Sequence, residues 1–471
     1  MRPRSLLGIC LIAAVCAAGA APAPPEGPRQ IRLAPQSTAK TVQAFRYRLL
    51  PDPRDRTPGN AAPLWLMASD AFHIVKHKVT DQEWEWLGPT PLNTLPRQEV
   101  HGFLKQYKAA LRVAREAARR ESCDWELPPV TFQSIQVYLP LRHIQSCREL
   151  ANLLSIQVRL QLAEGRFEDA AETLQTGFTL ARHLGEGNTL IDVLVGIAIH
   201  TLMFNRVEEW MQTSGSPNLY WALTALPPPR RNLPRCIEKE MNSLYRSFPK
   251  LRRLHRETVT QREADALVNE IFDCLTRALE RPLQATDAIK KMMDPIREGT
   301  RYSQARKHLE ELGRSAKEIN AMPKAQVILL WYVDQYDRAW DKVLEALTVP
   351  TYQADPLMEA VAKEIRSTDN IFVRLLLPAL EKTWEASRRF ERQLAGLRGA
   401  EALRLYAATH EGKLPAKWSD ITAVPLPIDP LTGKGFDDFY QVTDGRGILE
   451  IPPPPPVMVP SLRRRYELAP Q

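Results

Sequence analysis

Apolar side chains recur every three or four residues along most of this chain, the interval at which one face of an α-helix repeats. Leu64, Met67, Ala71, Ile74 and Val75 predict a helix over Asn60–Lys78. A second is predicted over Glu99–Glu121, stopped by Asp124-Trp125-Glu126-Leu127-Pro128-Pro129. Between them, Trp84, Trp86, Leu87, Leu92 and Leu95 lie among prolines and read as side chains pinning a loop to the core. Residues 234–365 read as several amphipathic helices. Ala264, Leu267, Ile271, Cys274, Leu275 and Ala278 mark one over Thr260–Leu279, and Val327–Leu347 is another. From Ile371 to His410 the stripe continues through Leu376, Leu380, Trp384, Phe390, Leu394, Leu397 and Leu405. A continuous helix of that length would span about 60 Å, with a kink near its start at Pro378.

The clearest local unit runs from Leu141 to Gln212. Its first helix carries Leu150, Leu153, Leu154, Val158 and Leu160. Gly165 turns the chain, and Phe167, Ala170, Ala171, Leu174 and Phe178 form the next stripe. The stretch from Leu162 to Ala170 resembles the turn of a tetratricopeptide hairpin, where glycine permits the tight turn and a small alanine lets two helices approach. There is one such hairpin and no clean repeat. Gly185 and Gly187 end its second helix, and Thr189 with Asp192 can cap the next. Leu190 to Phe204 is apolar almost all round but carries Asp192 and His200, which marks a buried central helix and not a membrane span.

After Gly412, Trp418–Ile421 reads as a single turn and Asp429-Pro430-Leu431-Thr432-Gly433-Lys434 as a turn cluster. Two short strands are predicted near Phe436–Val442 and Gly447–Ile451, joined by Asp444-Gly445. Pro452–Pro456 is a polyproline run expected to end the fold.

Composition narrows the class. The chain has 471 residues, 44% hydrophobic and 25% charged, with 39 prolines and 21 glycines. That excludes a mainly disordered chain, a collagen-like fibre and a multi-span membrane protein. Arg2, Arg4, the apolar run Leu6–Ala17 and the small residues Ala18-Gly19-Ala20 read as a signal peptide over residues 1–20, cleaved before Ala21. Cleavage removes two arginines and lowers the formal charge from +8 to +6. The basic residues are interleaved with Glu and Asp on helix faces, so nucleic acid is not an expected partner. Arg463–Arg465, past the proline run, reads as part of a mobile tail. Export permits disulfides among Cys123, Cys147, Cys236 and Cys274, and sequence leaves their pairing open.

Candidate chemistry is sparse. His73 and His77 lie one helical turn apart and Glu83 is near, but a metal site needs at least three ligands, and Ile74 stands where a zincin helix has glutamate. Asp429, Asp437 and Asp438 are possible calcium ligands that turn chemistry and solvation also explain. Asp334, Asp337 and Asp341 share a helix face with Arg338 and Lys342 to pair them. Gly185-Glu186-Gly187 joins two helices, so it is not a dinucleotide fingerprint. No nucleophile elbow or phosphate loop is present. No catalytic, cofactor-binding or metal residue is therefore assigned, and no cofactor is expected.

Several stretches together carry a resemblance. They are Asn60-Ala61-Ala62-Pro63-Leu64, Ala163-Glu164-Gly165-Arg166-Phe167, Gly185-Glu186-Gly187 with Thr189-Leu190-Ile191, and Asn218-Leu219-Tyr220-Trp221-Ala222-Leu223. Met322-Pro323-Lys324-Ala325-Gln326-Val327 and Ala402-Leu403-Arg404-Leu405-Tyr406-Ala407-Ala408 complete the set. Over residues 40–455 the chain resembles an uncharacterised family of secreted, helix-rich proteins of the planctomycete type, a resemblance that implies no activity. Leu403–Ile451 is similar to the pilin-like part of type II secretion pseudopilins: a Leu-Tyr-Ala-Ala helix end, a Gly-Lys-Leu-Pro break, an Asp-Pro turn and a hairpin. The long helix here lacks the apolar membrane half and leader of a pseudopilin, so the resemblance implies a shared helix-on-sheet packing.

The expected fold is mainly α: a helical-hairpin bundle with one tetratricopeptide-like hairpin, a long helix and a small C-terminal β-hairpin. The expected parts are a linker over 21–40, helical regions over 41–230 and 231–370, the long helix with hairpin over 371–451, and a tail over 452–471. The expected function is a non-enzymatic exported scaffold or binding protein of the periplasm or cell surface, taking a protein or peptide ligand. The alternatives are a hydrolase-type enzyme with a site built from sequence-distant residues, and a structural component of an envelope assembly.

Overall fold

The computed structural model of the protein describes residues 29–35, 45–75, 85–88, 90–125, 139–278, 284–376, 378–454 and 463–469. The expected signal peptide, His77, Glu83 and Trp84 lie outside them.

Helical periodicity becomes helices. The main ones are α1 (Ala62–Ile74), α2 (Arg97–Gln106), α3 (Lys108–Ala118), α4 (Leu139–Ala163), α5 (Phe167–Gly185), α6 (Leu190–Gln212) and α7 (Leu233–Ser247). They are followed by α8 (Gln261–Ala278), α9 (Gln284–Arg297), α10 (Tyr302–Glu311), α11 (Lys324–Thr348), α12 (Thr351–Ser367), α13 (Ile371–Leu376) and α14 (Pro378–Thr409). Gly165 takes a positive φ of 71° in the α4–α5 turn, as the tight reversal requires. Thr189 and Asp192 close a reciprocal capping box on α6.

Two apolar cores share one wall. The smaller is built from α1–α3 and one side of α4–α6, including Trp65, Leu150, Leu153, Leu184, Val195 and Ile199. The larger runs from Ile31 to Leu468 and takes Val193, Ile197, Phe204 and Trp210 from the other side of α6. That double duty explains why α6 is apolar all round. Among the described residues it is the one helix long and apolar enough to cross a membrane, and 67% of its most apolar window is buried inside the molecule. The larger core takes residues on both sides of position 230, Leu226 and Leu233 among them.

The sheet is larger than a hairpin. Strands β4 (Tyr440–Thr443) and β5 (Arg446–Ile451) turn at Asp444-Gly445, both at positive φ. Strand β6 (Arg464–Leu468) adds antiparallel to β5, and β1 (Arg29–Leu33) adds parallel to β6, giving the order β1-β6-β5-β4. The expected linker and tail therefore each carry a strand. Both are too short, and too full of arginine, for alternation to announce them: Ile31, Leu33, Tyr466 and Leu468 are the buried apolar positions. A separate parallel pair joins β2 (Thr57–Asn60) to β3 (Arg120–Ser122).

The sheet rests on α14 where that helix lacks side chains. A Cβ on Gly399 would come within 2.9 Å of Leu449 Cδ2 and 3.1 Å of the Trp418 ring. One helix expectation changes: Glu99–Glu121 divides into α2 and α3 around Tyr107. The expected kink at Pro378 adjoins Leu377, which lies outside the described residues.

Candidate functional site

A surface cleft of about 450 Å³ lies between α12 and α14. Its floor is apolar: Met358, Val361 and Ile365 from α12, Leu380 and Trp384 from α14, all buried. These are the core-facing stripes of two amphipathic helices. The adjoining helix positions, one step round each helix, place carboxylates on both walls: Asp355 and Glu359 on one, Glu381 and Glu385 on the other.

Two ion pairs cross the cleft. Arg388 Nε lies 2.9 Å from Asp355 Oδ1, and Arg366 pairs with Glu381. Because 355 faces 388 while 366 faces 381, the helices run antiparallel and the pairs close opposite ends. Asp355 Oδ1 also accepts the Trp384 indole N–H at 3.0 Å, which fixes the ring in the floor. Burial raises the Asp355 carboxyl above its ordinary range, opposed by Arg388 and the Trp384 bond. Between the pairs stand Glu359, exposed, and Glu385, half-buried, with no ion-pair or hydrogen-bond partner among the described residues. Tyr352, one helical turn before Asp355 and Pro356, is exposed and extends the same helix side.

Three other polar clusters are internal joints. Glu208 on α6, fully buried, takes Arg29 Nε at 3.1 Å from β1 and Arg464 Nε at 3.1 Å from β6. Glu401 and Arg404 on α14, both fully buried, pair at 2.9 Å and bind the segments around Ala34 and Ser216–Leu219. The third lies at the start of α6. His143 Nε2 is 3.1 Å from Asp192 Oδ1, while Asp192 Oδ2 accepts the N–H groups of Asn188 and Thr189. Cys147 follows one turn after His143. That is the residue set a cysteine nucleophile uses, but Cys147 is 2% exposed, and burial holds its thiol well above the ordinary range. The aspartate is a helix cap and the histidine covers it.

Glu240 completes this joint by accepting the Leu190 N–H at 3.0 Å. Burial, with Asp192 adding, pushes its carboxyl from 4.5 up to about 7. A raised carboxyl favours the fold while protonated, and this contribution is lost as pH rises from the unfolded value through the folded one. Glu240→Gln keeps an acceptor for Leu190 and removes the charge. We expect it to flatten the fall in melting temperature between about pH 5 and about pH 8 and to stabilise the fold by about 2 kcal/mol at the upper end. A pH profile superimposable on that of the wild type would contradict this role.

The residues singled out from sequence are dispersed. His73 Nδ1 meets the Ser69 carbonyl at 2.8 Å and Nε2 meets Glu149 at 3.1 Å, and no group of three metal-ligating side chains occurs among the described residues. Asp429 is fully buried, and Arg392 Nη2, at 2.9 Å, supplies the positive charge a calcium ion would bring; Asp437 and Asp438 do not join it. Arg338 pairs with Asp334 at 2.7 Å as expected, but Lys342 reaches Glu364 on α12, and Asp337 takes the Tyr245 hydroxyl. No disulfide joins Cys123, Cys147, Cys236 and Cys274. The loop residues Trp86 and Leu95 are buried, and Arg159 donates to the carbonyls of Trp86 and Thr90. Leu380 and Trp384 belong to the apolar stripe read in the sequence, but the acids of the cleft carry no such signal: an i,i+4 acid pair beside an apolar stripe looks like any solvated helix until its partner is placed.

Comparison with family models, curated proteins and solved structures yields no match.

Proposed function

We propose that the protein is an exported, non-enzymatic binding protein that takes a segment of another polypeptide in the α12–α14 cleft. The observation that carries this is the cleft's construction: an apolar floor with Trp384 locked in place by Asp355, open along the two helices. From Asp355 to Arg366 the wall is about 16 Å long, room for three turns of helix or four to five residues of strand. Grooves of this kind accept amphipathic segments through spaced apolar anchors. The reading of export rests on the basic start, short apolar run and small residues of positions 1–20. The buried His143–Asp192 pair and Cys147 favour a helix-capping role over hydrolysis, which supports binding over the enzymatic alternative.

The test is selection of a phage-displayed dodecapeptide library on immobilised protein, repeated with Ala362→Trp. Ala362 lines the cleft and is only half-buried, so a large ring there fills the groove without entering the core. Peptides enriched on the wild type are expected to lose at least about tenfold in affinity for the variant. Enriched peptides that bind Ala362→Trp equally well, or no enrichment at all, would refute the reading.

A further inference from the structure

The charges around the cleft are unequal in a way that the apolar floor does not require. Asp355 and Glu381 are each matched by an arginine from the opposite helix. Those pairs tie the two ends. The middle keeps Glu359 on α12 and Glu385 on α14 without partners among the described residues, one on each wall. A solvated carboxylate on a helix face is ordinary. Two on facing walls, flanking an apolar floor that holds an indole, form an unmatched negative field in a concave, low-dielectric surface, where a charge is felt more strongly than on a convex one.

We propose that the occupant is a cationic amphipathic segment, with a lysine or arginine seated between Glu359 and Glu385 and apolar side chains on Trp384, Val361 and Leu380. This rests on the α12–α14 cleft being the binding site, and it adds the chemistry of the ligand. An acidic segment meets like charge from both walls. A neutral one leaves the two carboxylates partly desolvated and unpaired, which costs affinity. Arg366 and Arg388 do not reverse the preference, because their charges are already spent on Glu381 and Asp355 across the cleft. An incoming base has the two free glutamates as its partners.

The experiment uses three synthetic helical peptides of fourteen residues with an identical leucine face and with lysine, glutamine or glutamate at the polar positions. Binding to the mature protein is read by isothermal titration and by its salt dependence. The lysine peptide is expected to bind at least about tenfold more tightly than the glutamine form, with the glutamate form weakest. Glu359→Gln/Glu385→Gln is expected to erase the lysine peptide's advantage and most of its salt dependence while leaving the glutamine peptide's affinity unchanged. Neither side chain is buried in the core, so the double variant should keep the wild-type circular dichroism spectrum and melting temperature.

The outcomes separate the two levels. Equal affinity for all three peptides, with Ala362→Trp weakening all of them, overturns the cationic preference and leaves the groove standing. Binding that neither Ala362→Trp nor the double variant alters, or no binding of any peptide, overturns both.

Discussion

Arg404→Met is expected to lower the unfolding free energy by about 3–5 kcal/mol, read as a fall of several degrees in melting temperature by circular dichroism. The guanidinium is fully buried and fully engaged. Nε donates to the Ala34 carbonyl at 2.9 Å, Nη1 pairs with Glu401 at 2.9 Å, and Nη2 donates to the carbonyl and hydroxyl of Ser216 at 2.9 and 2.7 Å. Methionine fills much of the volume and supplies none of these donors. The Glu401 carboxylate then loses its countercharge in a place where burial already raises its pKa. It keeps the Asn218 amide on one oxygen and the Leu219 N–H on the other, of which a glutamine carbonyl can keep one. Glu401→Gln placed on Arg404→Met should therefore recover part of the loss, because the stranded charge disappears. If the double variant is no more stable than Arg404→Met alone, the damage comes from the orphaned carbonyls of Ala34 and Ser216 and not from the unpaired carboxylate.

Gly196→Ala is the second large effect, and here the sign is the test. In an exposed helix, replacing glycine by alanine gains up to about 1 kcal/mol. Gly196 is where α6 crosses α5, and a Cβ there would lie 2.7 Å from the Ala181 carbonyl oxygen and 2.9 Å from the Gly185 nitrogen. Both are backbone atoms, so no rotamer change relieves the clash and the helices must separate. Overpacking of this kind costs about 1–3 kcal/mol, more than the helix gains. Gly102→Ala on α2, where nothing lies within 4 Å of the added carbon, is the matched control and should stabilise. Urea denaturation that finds the two substitutions moving the midpoint in the same direction would show that the α5–α6 crossing tolerates more than its geometry allows.

The mainly α fold was readable from periodicity because long helices announce themselves over many residues. Leu190–Gln212 shows both the reach and the limit of that reading. Its apolar surface marked it as buried, and Thr189 with Asp192 marked its start. Nothing in the pattern said that two different cores would claim its two sides. The hairpin turn at Asp444-Gly445 was equally legible, since two adjacent residues at positive φ have a strong local signature. Strands β1 and β6 were not, because each offers only a few inward side chains and is defined by a partner at the other end of the chain. The cleft was hidden for the same reason. Glu359 and Glu385 gain meaning only when α12 is laid against α14, and local spacing carries no information about that.

The parallel pairing of β1 with β6, Arg29 opposite Arg464, sets an order on assembly. As the polypeptide emerges from the ribosome, β1 arrives long before β6, the strand it pairs with among the described residues. Until then, Ile31 and Leu33 have no sheet to enter, and Arg29 can reach Glu208 only on a helix still missing its second arginine. Helical hairpins such as α4–α5, built from near neighbours, can close early, whereas this junction carries the greatest loop-closure penalty in the molecule. A nascent chain halted before Arg464 should therefore hold a formed helical body with an unfastened amino-terminal strand.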